Sequence, residues 1–202
     1  MTPNLDSAPA GSKSGGMTTE ANPVRLDPEA ALQHVVPGRS CGTCTLCCKL
    51  IAVTEFDKPP DEWCPHCIKK GGCAIHATRP TGCRTFFCHW MTEKGLGPEW
   101  KPERSKLVLV MGEGGHMTAF VDPGVPGAWR QAPYYETLKR WSVEASRAKP
   151  ARLVMVRIGT RGFIVLPDRE IDIGRVGPNE AIALERGADG RLAVRKFPQA
   201  AG

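Results

Sequence analysis

Short runs of alternating apolar residues in the C-terminal half of the chain predict paired β-strands. The runs occupy residues 107–111, 117–121, 153–158 and 163–166, with a further hairpin from 182–184 to 192–194. Glycine-containing turns at 112–115, 159–162 and 188–190 would connect them. Because these turns are short, the pattern predicts a small antiparallel sheet.

One longer stretch has the period of an amphipathic helix. It opens at Pro133 and ends before Pro150. Its apolar face comprises Tyr134, Leu138, Trp141 and Ala145, and its polar face comprises Lys139, Arg140, Glu144 and Arg147. With the strands, this helix predicts an α+β domain over residues 101–202.

The first half of the chain has no comparable periodicity. Residues 1–38 are rich in small residues and proline and predict a disordered tail, with one short helix at 25–36 (Asp27 as N-cap, Pro28 at N1). Residues 39–100 are interrupted by proline and glycine pairs. A segment this irregular needs a cross-link to hold one structure, and a bound metal ion is a common cross-link.

Nine cysteines, all from Cys41 to Cys88, are the candidate ligands for such a metal ion. The chain has no apolar run near the roughly 20 residues that span a bilayer, and its N-terminus lacks the features of a secretory signal. We therefore expect a cytoplasmic protein without a membrane span. Structural disulfides are rare in that compartment, and an odd number would leave one thiol unpaired, so metal ligation is favoured.

The spacing Cys41-x-x-Cys44-x-x-Cys47-Cys48 suits metal binding, because a two-residue gap lets two thiolates reach one ion from a tight turn. Neighbouring side chains diverge by about 100° in a helix and point to opposite faces of a strand. The vicinal pair therefore predicts that Cys47 and Cys48 serve two metal centres or bridge them.

Further candidate ligands follow this motif. The predicted ligand set is Cys41, Cys44, Cys47, Cys48, Cys64, Cys67, Cys73, Cys83 and Cys88, with His76 as the favoured histidine over His66 and His89. Thiolates alone suit zinc or an iron–sulfur cluster, whereas a nitrogen ligand favours zinc or a mixed site. The predicted cofactor is therefore zinc or iron, including an iron–sulfur cluster.

The formal charge of +6 suggests an acidic partner. Eight thiolates and two Zn²⁺ ions together carry four negative charges, which would lower this total to +2. The charge therefore does not favour a nucleic-acid partner, and it leaves a protein partner open.

The order of motifs resembles a known family. Cys41-x-x-Cys44-x-x-Cys47-Cys48, Cys73-x-x-His76, Arg79-Pro80-x-x-Cys83-Arg84 and Phe87-Cys88 are similar to the CxxCxxCC family of bacterial zinc- or iron-chelating proteins (YkgJ-type), which are often labelled iron–sulfur oxidoreductases. The likeness covers residues 41–90 and implies metal chelation. The CxxC at 64–67 is additional to the family pattern.

Two arginines near the motif are candidate cofactor-binding residues. Arg79 and Arg84 could donate N–H bonds to thiolate sulfur and offset its negative charge. We expect Phe86, Phe87 and Trp90 to form an apolar cap over the site.

Three alternatives to simple chelation are considered. The first is an iron–sulfur oxidoreductase or electron-transfer protein. The second is a zinc module that binds protein or nucleic acid, with a basic surface from Lys49, Lys69, Lys70 and Arg84. The third is thiol redox chemistry at Trp63-Cys64-Pro65-His66-Cys67, although no helix is predicted after this motif. The sequence contains no P-loop, dinucleotide fingerprint, HExxH or GxSxG motif, so it assigns no enzyme class.

Overall fold

A computed structural model of the protein describes residues 27–177 and 180–198. Its helices are α1 (Pro28–Leu32), α2 (Leu46–Leu50), α3 (Thr81–Thr85), α4 (His89–Thr92), α5 (Pro102–Ser105) and α6 (Tyr134–Arg147). Short 3-10 turns lie at Thr54–Phe56, His76–Thr78, Pro98–Trp100, Glu113–Gly115 and Ala128–Arg130. None of the described helices is both long enough and apolar enough to cross a membrane.

The strands form three sheets. They are β1 (Cys67–Ile68), β2 (Gly72–Cys73), β3 (Leu107–Met111), β4 (Met117–Val121), β5 (Val154–Ile158), β6 (Arg161–Val165), β7 (Glu170–Arg175), β8 (Glu180–Arg186) and β9 (Leu192–Pro198). The main sheet has the order β3-β4-β5-β6-β7, and β1–β2 and β8–β9 form separate ribbons. The predicted α+β class is confirmed.

Three of the four pairings in the main sheet are antiparallel, and β4 pairs with β5 in parallel. The parallel pair follows from the connection between them, since the chain crosses from one end of the sheet to the other through α6. The helix therefore does more than cover the sheet, because it sets the direction of β5.

Several elements differ from the sequence expectation. β3 and β4 have the predicted bounds, but the β5–β6 turn is shorter than expected and β7 was not predicted. The first helix is shorter than 25–36, and α6 ends at Arg147. Lys139, which was expected on the polar face of α6, donates its ammonium to the carbonyl of Leu166, so it ties the helix to the sheet.

Side chains alternate between the two faces of the sheet, and each face has its own cover. One face packs against α6 and the 90–100 segment; its core includes Leu107, Leu109, Ala119, Val121, Val156, Trp90, Trp100, Trp129 and Leu138. The other face packs against α2 and the β8–β9 ribbon, in clusters that include Leu46, Leu50, Val108, Ile164, Leu166, Ile182 and Leu192.

The cysteine-rich segment wraps around the edge strand β3. Trp90 and Trp100 reach one face of the sheet beside this strand, and Leu46 and Leu50 reach the other. Residues on both sides of residue 100 therefore share a core, and the division into a cysteine-rich segment (39–100) and an α+β domain (101–202) stays a prediction.

The chain joins this core before residue 39. Ala31 in α1 is buried, and the Val36 N–H donates a 2.8 Å hydrogen bond to the carbonyl of Met91. The predicted disordered tail therefore ends earlier than residue 38. Residues 1–26 of that tail lie outside the described residues.

Candidate metal centre

Four of the nine cysteines line one small pocket at the edge of the core. These inner thiols are Cys41, Cys44, Cys47 and Cys88. The pocket also contacts Phe86, Trp90, Met91, Lys101 and Pro102, and its volume of about 30 Å³ suits a single occupant the size of a water molecule or an ion. Of the three aromatic residues expected to cap the site, Phe86 and Trp90 line the pocket, while Phe87 packs against the core.

Local backbone geometry brings the inner thiols together. The Cys44 N–H donates a 2.9 Å hydrogen bond to the carbonyl of Cys41, which closes a tight turn immediately before α2. Cys47 follows on the first turn of that helix, and Cys88 is the N-cap residue of α4. Burial raises the pKa of Cys41 and Cys44 and raises that of Cys88 to about 11.

Arg39 clamps the two segments that carry the inner thiols. Its guanidinium donates to the carbonyls of Trp90, Glu93 (2.8 Å) and Leu96 (2.5 Å), and it lies 5.0 Å from the centre of the Trp90 ring. Because Arg39 precedes the Cys41 turn and Trp90 follows Cys88, this side chain holds both parts of the pocket together. The sequence analysis did not single it out.

Four other cysteines form a second group, the outer thiols Cys48, Cys64, Cys67 and Cys83. The Cys64 N–H donates a 3.0 Å hydrogen bond to the carbonyl of Cys48, and the Cys48 and Cys67 side chains are hydrogen-bonded. Burial raises the pKa of Cys67, and it raises that of Cys83 to about 11; the negative charge of Cys48 acts in the same direction on both. Cys48 interacts in the same way with Cys41 and Cys47 of the inner group, so the outer thiols adjoin the inner ones.

The vicinal pair divides between the two groups. Cys47 lines the inner pocket, whereas Cys48 contacts the outer thiols. A hydrogen bond between the two raises the pKa of Cys47 well above its usual range and, as the main cause, lowers that of Cys48 to about 6. The two neighbouring thiols are therefore in contact with each other, and their service of two metal centres stays a prediction.

The remaining cysteine and the histidines lie around these groups. Cys73 is opposite Cys67 in the β1–β2 ribbon. His76 is exposed, and its Nε2 is 2.7 Å from a guanidinium nitrogen of Arg79. The His66 ring lies 4.8 Å from that of Phe56. The ring of His89 faces Trp141 edge-on, and burial lowers its pKa.

A single glycine allows the two groups to approach each other. Gly72 has φ of +94°, a conformation that L side chains rarely adopt. A Cβ at this position would lie 3.3 Å from the carbonyl oxygen of Gly42, in the turn between Cys41 and Cys44. The β1–β2 ribbon of the outer group therefore packs closely on the turn of the inner group.

Positive charges accompany both groups. Burial raises the pKa of Cys41 and Cys83, and the charge of Arg79 acts in the opposite direction on both; it acts in the lowering direction on Cys48 as well. The Nε of Arg79 is buried and has no hydrogen-bond partner among the described residues. Arg84 is exposed on α3.

Lys58 supplies a buried charge that the sequence analysis missed. Only 5% of the residue is exposed, and its ammonium donates to the carbonyls of Lys49 (2.9 Å) and Ile51 at the end of α2. Burial lowers its pKa, and its charge in turn lowers that of Cys48. In the sequence Lys58 lies among acidic residues and prolines, which is typical of a solvated loop, so nothing local indicated burial.

Replacing Lys58 should weaken metal binding by the outer thiols and leave metal binding by the inner thiols unchanged. In Lys58→Met the α2 carbonyls lose a charged donor, which should cost about 2 kcal/mol of unfolding free energy. The outer thiols also lose a nearby cation, so we expect metal affinity there to fall about 10–100-fold while the inner affinity is kept. Competition titrations with a chromophoric chelator measure both.

The control for this experiment is Lys70→Met, which removes the same charge from an exposed position on the β1–β2 turn. It should bind metal like the native chain. Equal loss of affinity in the two variants would show that only net charge matters and that the position of Lys58 does not.

The thioredoxin-like alternative lacks its structural context. Cys67 begins β1, so the residues after the Cys64–Cys67 motif form a strand instead of a helix. In that chemistry a helix N-terminus lowers the pKa of the first thiol. Cys64 is instead buried, at 8% exposure, beside the second turn of a different segment, α2.

All nine cysteines are free thiols. Within residues 27–177 and 180–198, no three histidine, cysteine, aspartate or glutamate side chains are arranged so that they could hold a metal ion. The backbone segments thus bring the thiols near one another, but the sulfur atoms do not occupy the positions of metal ligands. Comparison of the chain with protein-family models, with curated proteins and with solved structures gives no match.

Proposed function

We propose that the protein chelates zinc or iron through its clustered cysteines, as its resemblance to the CxxCxxCC family implies. The observation that carries this proposal is that four of the nine clustered thiols, Cys41, Cys44, Cys47 and Cys88, line one small pocket. Four thiolates complete the tetrahedral shell of one zinc ion, and four also hold one iron–sulfur cluster.

The surroundings of the thiols support this chemistry. Soft thiolate donors select zinc or iron–sulfur centres over hard cations such as Mg²⁺. Arg79 and Lys58 offset the negative charge that several thiolates would bring together. Only deprotonated thiols are ligands, so binding would release protons and draw the sulfur atoms of each group inward.

The proposal includes a location and partners. We also propose a cytoplasmic location, since clustered cysteines that serve as metal ligands are typical of a reducing compartment. Metal ions are its proposed ligands, and a protein partner would be one that receives or supplies them.

Anaerobic purification followed by metal analysis, thiol titration and an absorption spectrum tests the proposal. We expect about two zinc ions per chain without visible colour, or iron with the visible absorption of a cluster. Thiol reagents should label few cysteines before chelation and all nine after it. A metal-free protein in which eight thiols are paired as disulfides would overturn the proposal.

A further inference from the structure

We propose that the C-terminal half of the chain carries a second binding site, a cationic cavity that takes a small organic anion with an apolar body. The cavity lies between the end of α6, the segment that leads from this helix to β5, and the β8–β9 ribbon. Its lining contains no cysteine and no histidine among the residues that the structure describes. The inference therefore goes beyond the proposed metal binding and does not rest on it.

The cavity has the size of a small-molecule site. Its volume is about 540 Å³, within the roughly 300–1,000 Å³ that is typical of ligand sites in proteins. The pocket of the inner thiols, at about 30 Å³, has room for one water molecule or one ion. Only the cavity beside α6 therefore has the volume for a whole organic molecule.

Three cations line the cavity without a counter-charge. Arg147 lies at the end of α6, Lys149 lies in the segment that follows, and Arg186 is the last residue of β8. Within 27–177 and 180–198, none of the three forms an ion pair, and no acidic side chain lines the cavity. The lining thus attracts negative charge, and an anionic ligand would supply the counter-charge that the described chain does not.

Arg186 is held in position before any ligand binds. Its guanidinium donates hydrogen bonds to the carbonyls of Ser146 at the end of α6 (2.8 Å) and of Gly190 in the β8–β9 turn (2.7 Å). A guanidinium has five N–H donors in a planar fork that matches carboxylate and phosphate oxygens. Because two carbonyls already fix this side chain, a ligand that binds it would cost little further side-chain freedom.

The cavity also has an apolar wall. Leu192 is buried, and Ala151 and Leu184 are partly buried against the core cluster between the main sheet and the β8–β9 ribbon. An inorganic ion would leave this wall facing water, whereas an apolar body would cover it, and covering apolar surface is favourable. The ligand class is therefore an organic molecule in which a carboxylate or phosphate group is joined to an apolar body.

A fluorescence titration of the full chain with pyrenebutyrate tests this inference. We expect saturable binding of about one molecule per chain, about 10-fold weaker binding of the neutral amide of the same probe, and binding of acetate weaker by about 100-fold or more. Amide NMR shifts on binding should be concentrated in residues 146–151 and 184–192. Equal binding of the neutral amide, or shifts confined to other residues, would overturn the inference.

A pair of double variants tests the position of the charges. Arg147→Met with Lys149→Met should weaken pyrenebutyrate binding about 5–20-fold, and both residues are exposed, so the chain should still fold. The matched control is Arg140→Met with Lys94→Met, which removes one arginine and one lysine from exposed positions outside the cavity and should change binding less than about 2-fold. Equal losses in the two double variants would show that net charge alone attracts the probe. Cosedimentation with phosphatidylserine vesicles without binding of pyrenebutyrate would assign these cations to a membrane surface and would also overturn the inference.

Discussion

Complete removal of metal is expected to abolish amide protection across residues 41–90 while β5 and β6 keep theirs. Structural zinc contributes about 10–16 kcal/mol of apparent binding free energy in small modules, which matches or exceeds the 5–15 kcal/mol stability of a whole domain. The segment from Cys41 to Cys88 has only short helices and two-residue strands to replace that contribution. Hydrogen exchange with and without chelator measures the difference.

The main sheet should survive because its own packing does not depend on the thiols. Ile164 and Leu166 are buried against the β8–β9 ribbon, and Leu138 of α6 is buried on the opposite face. β3 is the exception, since Trp90 and Leu50 cover it from the cysteine-rich segment. We therefore expect partial loss of protection in β3.

Restoration by metal is the control. Added Zn²⁺ should recover protection in residues 41–90, and added Mg²⁺ should not, because it prefers oxygen ligands in octahedral geometry. Unchanged protection of this segment after all metal has been removed would show that packing alone holds it.

The second large effect concerns the vicinal cysteines. Cys47→Ser and Cys48→Ser are each expected to lose about half of the bound metal, and to lose different ions. The reason is geometric: Cys47 lines the inner pocket, and Cys48 contacts Cys67 in the outer group. Metal analysis and the absorption spectrum of each variant show whether the two variants lose different ions.

Thr43→Ser is the matched control, because it changes a hydroxyl side chain in the same motif and keeps every sulfur. It should bind as much metal as the native chain. X-ray absorption adds an independent measurement, since a bridged pair of metals gives a metal–metal scattering shell and two separate tetrahedral sites do not. One ion per chain, lost equally in both cysteine variants, would contradict the division of the pair.

Much of the local structure could be predicted because it depends on short-range rules. β3 and β4 have their predicted bounds, since alternation of apolar residues on either side of a glycine turn leaves few other arrangements. The apolar face of α6 was also predicted, and its residues Tyr134 and Leu138 are buried. The tight turn expected from the Cys41-x-x-Cys44 spacing is also present, closed by the hydrogen bond from the Cys44 N–H to the Cys41 carbonyl.

Other features follow from contacts between residues far apart in the chain, for which spacing carries no information. Cys88 joins Cys41 because both of their segments pack beside β3, and Cys64 joins Cys48 through a backbone hydrogen bond across 16 positions. The sequence around Lys58 is typical of a solvated loop. Only the tertiary structure brings its ammonium to the carbonyls at the end of α2. Residue chemistry and periodicity thus predicted the candidate metal ligands and several of the helices and strands, whereas packing against the sheet determined which thiols lie close together and which charges lie near them.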